Sequence, residues 1–254
     1  MIAISRLGEG QLLDVKKSGA ELYTDYFRTC TVLQGEPPTS DIGDNVPYRM
    51  AKLFGHDWQY WNRHFVVQVA GCPLACWYCY VDNLKADLRI SVTDLVGQFI
   101  SMRALASDLN VFHLMGGLPG LYCKEWKEIR AELDKQGCED VLMLTNVVLL
   151  EDAYFRKMPW LYIPERCLVS VCLKGMTKSS FITNTGKDMF SAAMRELPHY
   201  IGRENCFFQI FEEDEASTRW IIDLVGEDNI DWLRVKEYEV VKMRSASLVV
   251  QLWD

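Results

Sequence analysis

Short apolar runs alternate with helical patterns from residue 64 onward, and this rhythm limits the possible folds more than any other feature. The strand candidates are HFVVQVAG, VFHLMGG, DVLMLTN, CLVSVCLKG, NCFFQIFEED and IDWLRVKEYEVV. No three of them follow one another without a crossover, which is typical of right-handed βαβ units. Because the runs are almost continuously apolar, we expect a parallel sheet that is covered on both faces.

Six units are fewer than the eight of a closed barrel, so the pattern fits either an open doubly wound sheet or a partial barrel. In both architectures, ligands bind at the carboxyl ends of the strands. We predict two parts, an irregular N-terminal cover over residues 1–63 and the βα domain over 64–254. The cover contains a loop punctuated by Pro and Gly at 33–45 and an aromatic stretch, Trp58–Trp61. That stretch fits either a hydrophobic cover over the core or a lid over a substrate.

Charge and cysteine usage restrict the compartment and the partners. The net charge is −8, and no run of Lys or Arg forms the cationic patch that phosphate binding needs, which argues against nucleic acid as a partner. The chain opens without a basic segment followed by an apolar run, and no apolar stretch approaches the ~20 residues of a membrane span. Nine cysteines without an export signal indicate thiols in a reducing cytoplasm. We therefore expect a cytoplasmic protein that does not enter a membrane.

Three cysteines are concentrated where the first strand candidate ends, in GCPLACWYC at residues 71–79. Cys72, Cys76 and Cys79 have the spacing C-x3-C-x2-C and can hold an iron–sulfur cluster with one iron left open. Zinc is an alternative, although a closed zinc site wants four ligands and His64 or His113 has an atypical spacing for the fourth. Three packed thiols without metal are the second alternative. Four further cysteines occur singly, and we interpret them as packing thiols: Cys123, Cys138, Cys167 and Cys206.

This trio, with Trp77 and Tyr78 between its last two cysteines, resembles the signature of radical S-adenosylmethionine enzymes. The resemblance extends over about residues 64–241 and implies a partial (βα)6 TIM-like barrel with parallel strands and the cluster loop after the first strand. It also implies a [4Fe–4S] cluster, S-adenosylmethionine as cofactor, and a reductant such as flavodoxin or ferredoxin as partner. In this family, the residue before the last cysteine lies near the adenine, so Tyr78 is implied as a contact to the cofactor.

Three weaker motifs extend the resemblance to later strands. Gly116 and Gly117, followed by Leu118 and Pro119, are similar to a Gly-Gly-Glu-Pro segment whose backbone meets the methionine amino group. Thr145-Asn146 and Lys174 are similar to landmarks of glycyl-radical activating enzymes, such as the pyruvate formate-lyase activating enzyme. Cys172 stands where those enzymes have Asp. The resemblance therefore implies that Gly116, Gly117, Asn146 and Lys174 bind the cofactor.

The implied reaction is reductive cleavage of S-adenosylmethionine to a 5′-deoxyadenosyl radical that abstracts hydrogen from a substrate. We favour a peptide or protein substrate, inserted at the carboxyl ends of the strands beneath Trp58–Trp61, since Lys174 is the one cation that the pattern places there. A small metabolite or nucleoside is the alternative substrate. A metal-binding interaction protein is the alternative that is not an enzyme.

Overall fold

A computed structural model describes residues 1–7, 21–33, 46–79, 86–149, 155–211 and 213–233. Most of the loop expected at 33–45, the segment 80–85, and residues 234–254 lie outside the described residues. The strands are β1 (Ile2–Ile4), β2 (Phe27–Thr31), β3 (Arg63–Val69), β4 (Leu88–Ile90), β5 (Val111–Gly116), β6 (Leu142–Val148), β7 (Cys167–Leu173), β8 (Cys206–Phe211) and β9 (Ile230–Leu233). The α-helices are α1 (Val46–Phe54), α2 (Val92–Leu105), α3 (Cys123–Lys135), α4 (Lys178–Thr185), α5 (Phe190–Glu196) and α6 (Glu215–Val225).

The nine strands of the described ranges belong to one sheet, in the order β4-β1-β3-β5-β6-β7-β8-β9, with β2 also paired to β3. The six predicted strands, β3 and β5 to β9, form a continuous parallel array in chain order. A doubly wound sheet reverses its strand order at a switch point, whereas chain order without reversal is typical of a barrel. In the described residues β9 pairs with β8 alone, so the sheet is open. The fold is thus the expected partial (βα)6 barrel.

One face of the parallel strands carries the main core and packs against the crossover helices. Phe65 of β3 and Phe112 of β5 meet Phe99 of α2 edge-on, each with ring centroids 5.6 Å apart. Trp126 of α3 and Ile221 of α6 are fully buried in the same cluster. Alternate residues of each strand point to the opposite side, which we call the inner face.

An apolar layer closes the inner face at the amino ends of the strands. We call it the floor cluster: Met50, Trp61, Val111, Leu142, Leu144, Leu168 and Phe207. The predicted placement of Trp58–Trp61 over the carboxyl ends is therefore wrong. These residues form a 3-10 turn that leads directly into the amino end of β3, and Trp61 is completely buried in the floor. The chain enters β3 from this end, so its aromatic stretch covers the core and is no lid over a substrate.

The N-terminal part contains regular structure that the sequence pattern did not indicate. β1 is antiparallel to β3 and β4, while β2 is antiparallel to β3 over five residue pairs, from Phe27–Val67 to Thr31–Arg63. These strands extend the first edge of the parallel array. The division at residue 63 remains a prediction. Among the described residues, none of the helices combines the length and apolarity needed to cross a bilayer.

Candidate functional site

The cysteine loop, residues 71–79, leaves the carboxyl end of β3 and lies against the end of β5. The backbone N–H of Gly117 donates to Val69 O at 2.9 Å, and the N–H of Leu118 donates to Gly71 O at 2.8 Å. These bonds continue the β3–β5 ladder beyond its regular end. The start of the loop is thereby fixed to the segment that carries the glycine pair.

The glycine pair is needed for this close approach. Gly116 has φ of 103°, in the region that disfavours residues with a Cβ. A Cβ on Gly117 would lie 2.4 Å from Gly71 O and 2.9 Å from Val69 O, which are both backbone atoms that cannot move aside. The structure thus gives these glycines a role within the protein itself, namely docking the cysteine loop. Their expected contact with a cofactor remains a prediction.

Helix α4 holds the other side of the cysteine loop. The N–H of Ala75 donates to Thr185 O at 2.8 Å, at the carboxyl end of this helix. Asn184 bridges two site residues, since its Oδ1 accepts from Trp77 Nε1 at 3.2 Å and its Nδ2 donates to the carbonyl of Lys174 at 2.8 Å. Sequence reasoning missed Asn184, because its partners are distant in the chain and no motif marks it.

The three thiols of the loop influence one another electrostatically. Burial raises the pKa of the Cys72 thiol to about 12, and Cys76 and Cys79 add to the shift. Burial also raises the pKa of Cys76, although Lys174 opposes this effect. Within the described ranges, no three His, Cys, Asp or Glu side chains meet in a group that could hold a single metal ion. The loop therefore gathers three partly buried thiols in one place without converging them on one point.

Lys174 and Tyr78 lie beside these thiols. Lys174 Nζ is 5.4 Å from the centre of the Tyr78 ring, within range of a cation–π interaction. Burial lowers the pKa of Lys174, but the neighbouring Tyr78, Cys172 and Cys76 outweigh it, so that the pKa is raised above its ordinary value. The Tyr78 ring also packs against Phe211 at the end of β8, with centroids 4.8 Å apart. Lys174 thus opposes the effect of burial on the pKa of Cys72, Cys76 and Tyr78.

Below the loop, a row of polar side chains crosses the inner face, with one residue from each of the six parallel strands. We call it the inner belt: His64, His113, Asn146, Cys172, Gln209 and Asp231. Successive members lie 3.4, 2.9, 3.9, 3.4 and 3.0 Å apart between their polar atoms. Burial lowers the pKa of His64 to about 3 and that of His113 to about 4, and the nearby Arg28 contributes to both shifts. Both imidazoles are therefore neutral at pH 7.

The predicted residues fall into two groups in the structure. Cys72, Cys76, Cys79, Tyr78 and Lys174 come together at the carboxyl ends of β3 and β7, and the glycine pair supports their loop. Asn146 lies lower, in the inner belt, where its Nδ2 contacts the Sγ of Cys172. No disulfide forms among the nine cysteines, all of which are described. The four packing thiols are buried in the main core, as expected: Cys123, Cys138, Cys167 and Cys206.

Comparisons with known proteins give weak likenesses. No family model and no curated protein matches the sequence. Crystal structures of SuiB from Streptococcus suis are similar to this chain at 13% sequence identity. For SuiB bound to precursor peptide SuiA, the TM-score is 0.49, and the match covers 71% of this chain and 41% of the SuiB chain. SuiB alone and SuiB bound to S-adenosylmethionine each give a TM-score of 0.45, over 65% and 64% of this chain. The chain spans less than half the length of these structures, and likenesses of this strength assign it no activity.

Proposed function

We propose that this chain is a radical S-adenosylmethionine enzyme whose [4Fe–4S] cluster is held by Cys72, Cys76 and Cys79. The observation that carries the proposal is the position of the three thiols. They share one loop at the carboxyl end of the first strand of an open, six-stranded parallel array, which is where such folds place their chemistry.

The donor set suits a cluster. Thiolates are the ligands of iron–sulfur clusters, and a cluster offers a separate iron to each thiolate, so its ligands need not converge on a point as those of zinc do. Burial and mutual repulsion disfavour three thiolates without a cation, as the raised pKa values of Cys72 and Cys76 indicate. Bound iron supplies that cation, while Lys174 already supplies part of the compensating charge.

The neighbouring residues have the functions of positioning and shielding. When bound, the cluster supplies the electron that splits S-adenosylmethionine into methionine and a 5′-deoxyadenosyl radical, which takes hydrogen from the substrate. Tyr78 is 9% exposed and presents an aromatic surface next to the loop for an adenine ring. Gly116, which is partly exposed at the end of β5, offers its backbone to a ligand, and Lys174 attracts negative charge. The face of the sheet that carries the main core is closely packed and excludes water from one side of the site.

A peptide or protein segment is the substrate that we favour. The open sheet leaves room for a bulky substrate, and Trp77 beside the cysteine loop is 45% exposed. An exposed aromatic side chain at the entrance of a site is suited to contact a flexible chain, because it offers apolar area at low entropic cost. A small metabolite or nucleoside remains the alternative.

The proposal is tested with anaerobically reconstituted and chemically reduced protein. We expect it to convert S-adenosylmethionine to methionine and 5′-deoxyadenosine, and this turnover to require all three loop cysteines. Peptides and extract fractions labelled with deuterium at Cα are then screened for transfer of label into 5′-deoxyadenosine. The absence of any cleavage by protein that contains the full cluster would contradict the radical chemistry. Transfer from a nucleotide or metabolite alone would instead support the alternative substrate.

A further inference from the structure

One arginine on the inner face was missed by sequence reasoning. Arg28 of β2 is the cross-strand partner of Val66 in β3, and Val66 is in turn the partner of His113 in β5. Side chains of partners in neighbouring strands point to the same side of a sheet. Arg28 and His113 therefore share the inner face, two strands apart. The electrostatic effect of Arg28 on both His64 and His113 places its charge near the first half of the inner belt.

Arg28 has no hydrogen-bonding or ionic partner among the described residues, unlike the other arginines that are similarly buried. Its Nε is buried without a hydrogen-bond acceptor, and its guanidinium forms neither a hydrogen bond nor an ion pair within the described parts of the chain. The others are engaged: Arg49 with the carbonyls of Asp228 and Ile230, Arg63 with Asp108 and Glu21, Arg103 with Asp140, Arg130 with Asp134, and Arg166 with the carbonyl of Asp140. Arg28 is thus the exception among them.

An uncompensated guanidinium in a partly buried position is costly. Arginine stays protonated in proteins, so Arg28 cannot relieve the cost by losing its charge. The two nearby histidines are neutral, and Asp231, at the far end of the inner belt, accepts a bond from Gln209 Nε2 at 3.0 Å. The sheet therefore provides a cation on its inner wall with no counter-charge beside it among the described residues.

A second orphaned polar group lies on the same wall. Ser170 of β7 is the cross-strand partner of Asn146 and points to the inner face. It is 2% exposed, and its Oγ has no hydrogen-bond partner in the described residues. Buried hydroxyls are usually hydrogen-bonded, so this one is a candidate donor to an additional group. Above the floor cluster, several inner-face side chains remain partly exposed, which leaves this wall accessible: His113, Met115, Asn146, Lys174 and Gln209.

We propose that Arg28 binds a carboxylate of the substrate on the inner face of the barrel. This inference rests on the proposed function and narrows its substrate to one that carries a carboxylate, such as an acidic residue of a peptide. The planar fork of a guanidinium matches the two oxygens of a carboxylate, and a charge-assisted pair is favoured at a partly buried site. Arg28 then anchors the substrate below the cysteine loop.

The test uses full-length, oxidised, cluster-loaded protein that is labelled with [15N]arginine. NMR follows the Nε–H signal of Arg28, which is assigned as the signal that disappears in Arg28→Gln. Two matched pairs of probes are titrated: acetyl-glutamyl amide against acetyl-glutaminyl amide, and succinate against succinamide. We expect saturable shifts with acetyl-glutamyl amide and none with either uncharged probe. Because Arg28→Gln lacks this NMR signal, carboxylate affinity is compared among the variants by isothermal titration calorimetry. It should fall about 10- to 100-fold in Arg28→Gln, since one charge-assisted hydrogen-bonded pair is lost. The already paired Arg63→Gln serves as the control and should retain that affinity.

Three results would overturn the proposal. They are equal shifts with charged and uncharged probes, undiminished carboxylate binding in Arg28→Gln, and no saturable shift at all. A response to succinate but not to the peptide probe keeps the carboxylate site and assigns it to a free acid. The Kd for S-adenosylmethionine should be unchanged in Arg28→Gln, and a rise with normal carboxylate binding would assign Arg28 to the cofactor instead. Failure of the wild type to cleave S-adenosylmethionine would overturn the proposed function separately, because these titrations need no turnover.

Discussion

The two ends of the parallel strands differ in how their polar groups are compensated. At the amino end, Arg103 pairs with Asp140, and Arg49 donates to the backbone carbonyls of Asp228 and Ile230 at 2.6 and 2.9 Å. At the carboxyl end, thiols with raised pKa values surround a lysine that has no carboxylate partner among the described residues. Among the described residues, the amino end therefore pairs its charged groups within the protein, whereas at the carboxyl end Lys174 faces thiols and no carboxylate. We therefore expect stability to depend most on the amino end and the proposed chemistry on the carboxyl end.

Two tryptophans give the largest contrast between these ends. Trp61 is fully buried in the floor cluster, and its Nε1 donates to Gly55 O at 2.8 Å. Trp61→Ala should lower the free energy of unfolding by about 3–5 kcal/mol, because it leaves a large cavity. Trp77→Ala, at a position that is 45% exposed, should lower it by less than about 1 kcal/mol. Urea unfolding measures both changes, and equal effects would contradict the assignment of stability to the floor.

Two glycines sharpen the comparison at the carboxyl end. Gly117→Ala places a Cβ 2.4 Å from Gly71 O and should cost about 1–3 kcal/mol by overpacking, with the cysteine loop displaced. Gly97 lies in α2 with nothing within 4 Å of its Cβ position, so Gly97→Ala should stabilise the protein by about 0.5–1 kcal/mol. The amount of iron bound per chain is measured together with the stability of both variants, and it should fall only in Gly117→Ala. Unchanged iron in that variant would show that the loop does not depend on the glycine pair.

The inner belt should make stability depend on pH. Burial holds the pKa of His64 at about 3, below the ordinary value near 6.5. The unfolded chain therefore binds a proton that the folded chain does not, and stability is fully present above pH 6.5 and lost as the pH falls toward 3. The expected slope is about 1.4 kcal/mol per pH unit for this histidine. Urea unfolding between pH 7 and pH 5 should show a shallower slope in His64→Gln, and an identical slope would contradict the neutral buried state.

The sequence pattern predicted the parallel array and its loop because both depend on local signals. Apolar runs mark the six strands, and the spacing of Cys72, Cys76 and Cys79 marks the loop. The antiparallel strands β1, β2 and β4 were missed, since three to five residues carry too little periodicity to be recognised. Arg28 and Asn184 were missed for another reason. Their importance comes from neighbours that lie far away in the chain and meet only in the folded sheet.

Iron and sulfide content after anaerobic reconstitution tests the central claim most directly. Wild-type protein should bind about four irons and four sulfides per chain, as one [4Fe–4S] cluster requires. The triple variant Cys72→Ala, Cys76→Ala and Cys79→Ala should bind none. A matched variant with Cys123 and Cys206, both buried in the core, changed to Ala should keep the full complement in its folded fraction. Full iron in the loop variant, or loss of iron only in the core variant, would contradict the account.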